Sequence, residues 1–302
     1  LTRHHAWEDL KAAGERPRSG EKSACVLRLF QAWQEGKPYP AIRACVSTIH
    51  GLADTDDSNV LAVIEALEER PIEGRVSRGV DKTYGSFLLN SGTPETRLGF
   101  SFANSETGCG SLEFGGALHI TALDVEVNMP TGEKFVRMVS LATANGRTTR
   151  RHTLPRFDSR TGALFTPAQR TAIAAGRIGV DIDKALDASR VMADCWERAR
   201  VDVNATAIEL ARFGADDETA RAVLSDFLEE NGMGYLLEYI KPLCTILADD
   251  SRLRTLPHGS AAHFAAALAI LAQTGEGRSW EQTRELQSKA GEFVMGGWEG
   301  VR

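Results

Sequence analysis

The sequence predicts an α+β protein in which one antiparallel sheet lies between helical segments. Apolar residues recur at helical spacing near both ends of the 302-residue chain, and they alternate with polar residues in its middle part. Strands gathered in one block, with helices before and after them, are typical of α+β folds. Doubly wound sheets instead alternate strands with helices along the chain.

The N-terminal part, residues 1–80, is predicted to be a helical segment. Within SACVLRLFQAWQ, four apolar residues follow the spacing i, i+3, i+4 and i+7: Val26, Leu29, Phe30 and Trp33. The stretch DDSNVLAVIEALEER repeats this spacing behind an Asp/Ser region that is typical of a helix start.

Residues 81–165 are predicted to form the sheet, because from Tyr84 onward the apolar period changes to two. The alternating positions are Phe87, Leu89, Leu98, Phe100, Phe102, Leu112, Phe114, Leu118, Ile120, Val125, Val127, Phe135, Arg137, Val139 and Leu141. Pro130-Thr131-Gly132 is a hairpin turn signal between the last two strands. Short loops between successive strands favour an antiparallel meander, since parallel neighbours need long crossovers.

Residues 166–302 are predicted to be a C-terminal helical region packed on the sheet. Thr166 and Pro167 form a strong helix start signal, and DETARAVLSDFLEENG is typical of a helix that ends at its glycine. Further helices are predicted over 182–213, 235–247, 260–273 and 279–294 from their apolar stripes.

Composition limits the function classes. With 42% hydrophobic and 25% charged residues the chain is globular, and no apolar run approaches the roughly 18 to 20 residues of a membrane span. The chain start lacks the pattern of a signal peptide, so we expect a cytoplasmic protein without membrane partners. Five cysteines without a C-x-x-C pair indicate reduced, mostly buried thiols.

The triplet Asn104-Ser105-Glu106 follows an alternating strand and precedes Gly108 in a glycine-rich turn. Such polar residues either hydrogen-bond the turn backbone at a strand terminus or form a site at the end of a sheet. We interpret Asn104, Ser105, Glu106 and Gly108 as a structural turn.

An enzyme interpretation uses the same region. Asp124 and Glu126 share a strand face at i, i+2 spacing and with Glu106 could hold Mg²⁺, while His119 and His152 are candidate bases. Alternating acids are also typical of any half-exposed strand, and this is the stronger interpretation. We therefore predict no catalytic residue, no metal and no cofactor, and keep a metal-dependent nuclease as the alternative.

A basic strip stands out in a protein of net charge −6. From Arg147 to Arg170, six arginines and His152 accompany one acid, Asp158. If RTTRRHT is an edge strand, one basic row can follow a phosphate backbone, although such charges also protect an edge from aggregation. The predicted nucleic-acid contacts are Arg147, Arg150, Arg151, His152 and Arg156.

Several motifs together resemble the phage- and plasmid-borne protein family called domain of unknown function 932. They are NSETGCGSLEF, RMVSLATANG, RRHT, and the closing stretches SAAHFAAALAILAQ and RELQSKAGEFV, which span about Leu98 to Val294. The chain departs from the family at ATANG, where a cysteine is usual, and LDVEVNMPTGEKF is similar to an added hairpin.

The resemblance implies a protein of a mobile element that acts in DNA metabolism or counteracts host defence. A meander backed by helices is also similar in outline to the Rad52-like single-strand annealing proteins. We therefore expect a phage or plasmid protein that binds or anneals single-stranded DNA in recombination, as a homo-oligomer. The alternatives are the nuclease and a factor that binds a host protein.

Overall fold

The computed structural model describes most of the predicted sheet and of the C-terminal helical region. The described residues are 17–18, 21–22, 25–34, 36–47, 56–67, 73–78, 82–105, 112–130, 147–150, 167–201, 217–230, 233–275 and 278–296. The predicted turn at 130–132 lies partly outside them, and the predicted strand at 135–141 lies wholly outside them.

All strands of the described residues pair antiparallel. Two small sheets pair β1 with β2 and β3 with β4, where β1 is Pro17–Arg18, β2 Glu21–Lys22, β3 Cys25–Gln34 and β4 Lys37–Ser47. The main sheet contains β5 (Glu73–Arg78), β6 (Thr83–Gly92), β7 (Thr96–Asn104), β8 (Leu112–Ile120), β9 (Val125–Asn128) and β10 (Arg147–Arg150).

The helices lie mainly after the sheet. They are α1 (Asp56–Ala66), α2 (Pro167–Ala199), α3 (Glu218–Glu230), α4 (Ile240–Asp249), α5 (Ala261–Thr274) and α6 (Trp280–Val294). Short 3₁₀ helices at Gly234–Tyr239 and Ser251–Thr255 precede α4 and α5. The α+β class and the C-terminal helical region are thus confirmed.

The helix predicted over SACVLRLFQAWQ is wrong. These residues form β3, which pairs with β4 along its whole length, with Val26 opposite Val46. Gly36 closes the hairpin with a φ of 75°, a conformation that glycine adopts without steric cost. Pairing with a distant segment overrode the local helical spacing, since several of the apolar residues here are β-branched or aromatic and suit strands equally well. In the N-terminal segment only α1, among the described residues, is an α-helix.

The main sheet is the predicted meander. Strands β5, β6, β7 and β8 are neighbours in chain order, and both β9 and β10 pair with β8 on its other side. Strand β5 lies before residue 81, so the sheet begins earlier than the sequence predicts. Among the described strands, β10 forms the end of the strand order opposite to β5.

One face of the sheet is apolar and packs against α1 and α2. Phe87 stacks on Phe100 with ring centroids 5.4 Å apart, and Phe102 and Phe114 complete the layer. Helix α2 approaches β8 closely at Gly116, where an added Cβ would lie 2.8 Å from the Ala185 carbonyl oxygen. Leu98, Phe100 and Phe102 are buried as the alternation predicts.

Helix α6 lies on the opposite face, whereas α5 packs in one core cluster with α2 and with apolar residues of β8 and β9. Residues 261–272 of α5 are all buried, which makes α5 the central helix of the C-terminal region. Helix α6 touches the sheet at Gly291, where a Cβ would lie 2.1 Å from the Asn128 carbonyl oxygen. None of the described helices combines the length and the apolar character that a membrane crossing requires. Cys195 and Cys244 are buried free thiols, as predicted for these two cysteines.

Candidate functional site

Polar side chains fill the interface between the sheet and α6. The Tyr84 hydroxyl donates to Glu281 Oε1 at 2.8 Å, and Arg284 Nη2 donates to Ser101 Oγ at 3.3 Å. Asn128 Nδ2 donates to Gln287 Oε1 at 2.8 Å. Tyr84, Ser101 and Asn128 alternate along their strands with residues of the apolar face. Their polar side chains therefore lie on the face that packs against α6.

A cavity of about 380 Å³ opens at one side of this interface. Its floor comes from β5, β6, β8 and β9, and its cover comes from the end of α5 and the start of α6. The lining residues are Glu73, Arg75, Ser86, Leu88, His119, Asp124, Glu126, Ala272, Gln273, Gly275, Trp280, Thr283 and Gln287. A concave surface with apolar side chains and several convergent polar groups is typical of small-molecule sites.

His119 and Glu126 form the centre of the cavity floor. They are directly opposite each other in the antiparallel pair of β8 and β9, so their side chains leave the same face at neighbouring positions. His119 Nε2 lies 3.5 Å from Asp124 Oδ1, and the His119 side chain is only 7% exposed. The structure therefore brings an imidazole and two carboxyl groups together.

Burial raises the pKa of Glu126 above its ordinary value. The Ser86 hydroxyl, which donates to Glu126 Oε2 at 2.6 Å, opposes this rise together with the charges of Arg75 and Arg284. The pKa of Glu126 is nevertheless raised, which favours the protonated carboxylic acid, the form that can donate a proton.

Burial also lowers the pKa of His119, and the positive charge of Arg97 acts in the same direction. The Asp124 carboxylate opposes the effect, and its side chain is 85% exposed. Burial thus favours the neutral imidazole, the form that accepts a proton. The pKa of Glu126 is raised and that of His119 is lowered, as in the acid and base pairs of enzymes.

The metal alternative was predicted from Glu106, Asp124 and Glu126. Glu106 lies outside the described residues. Asp124 does not share a strand with Glu126, because it ends the turn before β9 and has a φ of 51°, but both residues line the same cavity. Within the described part of the chain, no group of three or more His, Cys, Asp or Glu side chains is arranged to hold a metal ion.

A second cleft, of about 600 Å³, lies along the other side of α6. Its wall includes Tyr84, and Arg284 lies over the Tyr84 ring at 5.3 Å from the centroid. Burial raises the pKa of the Tyr84 hydroxyl, and its bond to Glu281 adds to this effect. The cleft also contains Glu113 and Gly115, the residues of β8 that pair with β10.

Charges of both signs line this cleft. The cationic residues are Lys82, Arg284 and Lys289, and the carboxylates are Glu113, Glu281, Glu285 and Glu292. Lys289 Nζ lies 2.8 Å from Glu292 Oε1, so part of the positive charge is already compensated. The cleft alone has no excess of positive charge for a phosphate chain.

The basic strip begins on β10, which ends the main sheet among the described residues. Strand β10 pairs with β8 so that Arg147 lies opposite Gly115 and Arg150 opposite Leu112. Arg151, His152 and Arg156 lie outside the described residues, as does most of the strip.

The predicted structural turn begins where β7 ends. Asn104 is the last residue of β7, opposite Thr83 of β6, and Ser105 follows it. Both side chains are buried. Glu106 and Gly108 lie outside the described residues, so the turn itself stays a prediction.

Sequence reasoning named His119, Asp124 and Glu126 but missed the residues that enclose them. Ser86 belongs to β6, and Trp280 begins α6 almost 200 positions later. Alternation around Ser86 could show that it faces the same side as Tyr84, but no local pattern indicates that α6 covers this face.

Comparison with known protein families, with curated proteins and with solved structures finds no match for this chain. The resemblance to domain of unknown function 932 and to the Rad52-like outline therefore stays a prediction.

Proposed function

We propose that the protein binds single-stranded DNA along the basic edge of its main sheet. The observation that carries this proposal is the position of β10, which places the start of the arginine-rich segment at the end of the strand order. Lys and Arg side chains that neutralise phosphates supply most of the affinity for single strands.

The cleft beside β10 supports the same proposal. It brings the aromatic ring of Tyr84 and the Arg284 guanidinium next to the β8 residues that pair with β10. Single-strand binding proteins combine a basic track for the backbone with aromatic or guanidinium surfaces for bases. Because carboxylates outnumber cations in the cleft, the phosphates follow the edge strand and only the bases enter the cleft.

The experiment is fluorescence anisotropy with a labelled oligonucleotide over a salt series. The double variant R150A/R151A should bind more weakly, and each lost phosphate contact should lower the log-log salt slope by about 0.7. The neighbours Arg150 and Arg151 point to opposite faces if the strand continues, so the single variants should have unequal effects.

Arg254→Ala is the matched control, because this exposed arginine belongs to the 3₁₀ helix before α5 and not to the strip. It should leave affinity and slope unchanged. If R150A/R151A also leaves both unchanged, the strip is only a solvated edge and the proposal fails.

The resemblance to the mobile-element family supports a proposal about the biological process. We propose a phage or plasmid protein that acts in recombination or DNA metabolism as a homo-oligomer. Mass photometry with and without single-stranded DNA measures the oligomer, and a strictly monomeric protein in both conditions contradicts this part.

A further inference from the structure

We propose that the cavity beneath α5 and α6 is a hydrolytic site for small uncharged carboxylic esters or amides, with His119 as general base and Glu126 as general acid. This site is separate from the basic edge strand, and its activity does not depend on nucleic-acid binding.

The first step of the argument is the geometry of His119. Its Nε2 lies 3.5 Å from Asp124 Oδ1, so the negative charge of this carboxylate favours a proton on Nε2. Nδ1 is then the nitrogen that can accept a proton from water. Hydrolytic triads likewise have a carboxylate beside the second nitrogen of the base.

The second step is the closeness of acid and base. His119 and Glu126 are directly opposite in the strand pair, so their Cβ atoms are about 5 Å apart. In acyl hydrolysis the attacking water and the leaving group are bound to one carbon. On neighbouring positions of one face, the base can therefore accept a proton from the water while the acid donates one to the leaving group.

Charge selects the substrate class. The carboxylates of Glu73 and Asp124 line the cavity beside the neutral acid Glu126, while Arg75 already donates from Nε to Glu73 Oε1 at 2.6 Å. This arrangement repels phosphates and carboxylates. Leu88 and Ala272 provide apolar wall for a small acyl or alkyl group.

The proposed reaction balances as follows. The oxygen of water forms a bond to the carbonyl carbon and its proton passes to His119 Nδ1, while the electrons of the carbonyl double bond move to the carbonyl oxygen. When the carbonyl re-forms, the bond to the leaving oxygen or nitrogen breaks and that atom takes the proton of Glu126. Glu126 is reprotonated from the His119 imidazolium.

The test compares two esters with one acyl group, 4-nitrophenyl acetate and ethyl acetate. Nitrophenolate leaves without a proton, whereas ethoxide needs one. E126Q should lower kcat/KM for ethyl acetate by about 100-fold or more but for 4-nitrophenyl acetate by less than about tenfold. H119Q should lower both by about 100-fold or more.

H258Q and E229Q are matched controls on exposed residues and should leave both rates unchanged. The glutamine of E126Q retains an oxygen that can accept from the Ser86 hydroxyl. The different effects of E126Q on the two esters test the proposal even if H119Q does not fold. A purely structural role for Glu126 would lower both rates equally. The proposal fails with that result, or if the wild-type protein hydrolyses neither ester faster than the double variant H119Q/E126Q.

Discussion

Acid should destabilise the protein through His263, which lies in the first turn of α5. The His263 side chain is buried, with 1% relative exposure for the residue, and its Nε2 has no hydrogen-bond partner among the described residues. Burial, assisted by the nearby His258, lowers the pKa of His263 from 6.5 to about 4. The folded protein therefore keeps this imidazole neutral at a pH where the unfolded chain protonates it.

The sign of the effect follows from proton uptake. Between about pH 6.5 and pH 4 the unfolded state binds more protons at this position, so the free energy of unfolding falls as the pH falls. The pKa difference between the unfolded and folded states corresponds to about 3 kcal/mol. At pH 4.5 the free energy of unfolding should already be about 2.5 kcal/mol lower than at neutral pH. That is a large share of the about 5 to 15 kcal/mol of a typical folded domain.

The assay is urea unfolding of the wild-type protein and of His263→Gln across this pH range. The variant cannot take up the proton, so the difference between the two stability curves isolates His263 from the other titrating groups. His258→Gln is the control, since its side chain is exposed and contributes less than burial to the lowered pKa. Equal pH dependence of wild type and His263→Gln would refute the reasoning.

Three substitutions test the helices and their packing on the sheet, each by chemical denaturation. Gly291→Ala should cost at least about 1 to 3 kcal/mol, because its Cβ would lie 2.1 Å from the Asn128 carbonyl oxygen. Gly176→Ala, exposed on α2 with open space around the Cβ, should instead stabilise by about 0.5 to 1 kcal/mol, and a loss there would contradict the helix assignment. Ser189→Ala should cost about 1 to 3 kcal/mol, because the Ser189 hydroxyl accepts from the buried Ala117 N–H at 3.0 Å. No change in that variant would mean that water replaces the hydroxyl.

The C-terminal helices were predictable because their signals are local. Ser279 and Gln282 form a capping box at the start of α6, and Ser260 accepts from the His263 N–H at the start of α5. Such caps lie within one turn of the residues they serve, so a short window of sequence contains them. The strands at Leu98 to Phe102 were predictable for a similar reason, since alternation needs only one buried face.

The β3–β4 hairpin and the cavity were not predictable in this way. Val26 pairs with Val46, and this pairing is decided by the partner strand and not by the helical spacing within SACVLRLFQAWQ. Asp124 was expected to extend a strand, but it closes the turn in front of β9.

The sequence by itself determined the α+β class, the central strands of the meander and the C-terminal helices. The tertiary structure alone decided which polar residues share a site. His119 and Glu126 are opposite each other because β8 and β9 pair in one register, and α6 covers them because Gly291 allows its backbone to approach β9. Strand register and helix packing depend on contacts between residues far apart in the chain, whereas caps and alternation depend on neighbours.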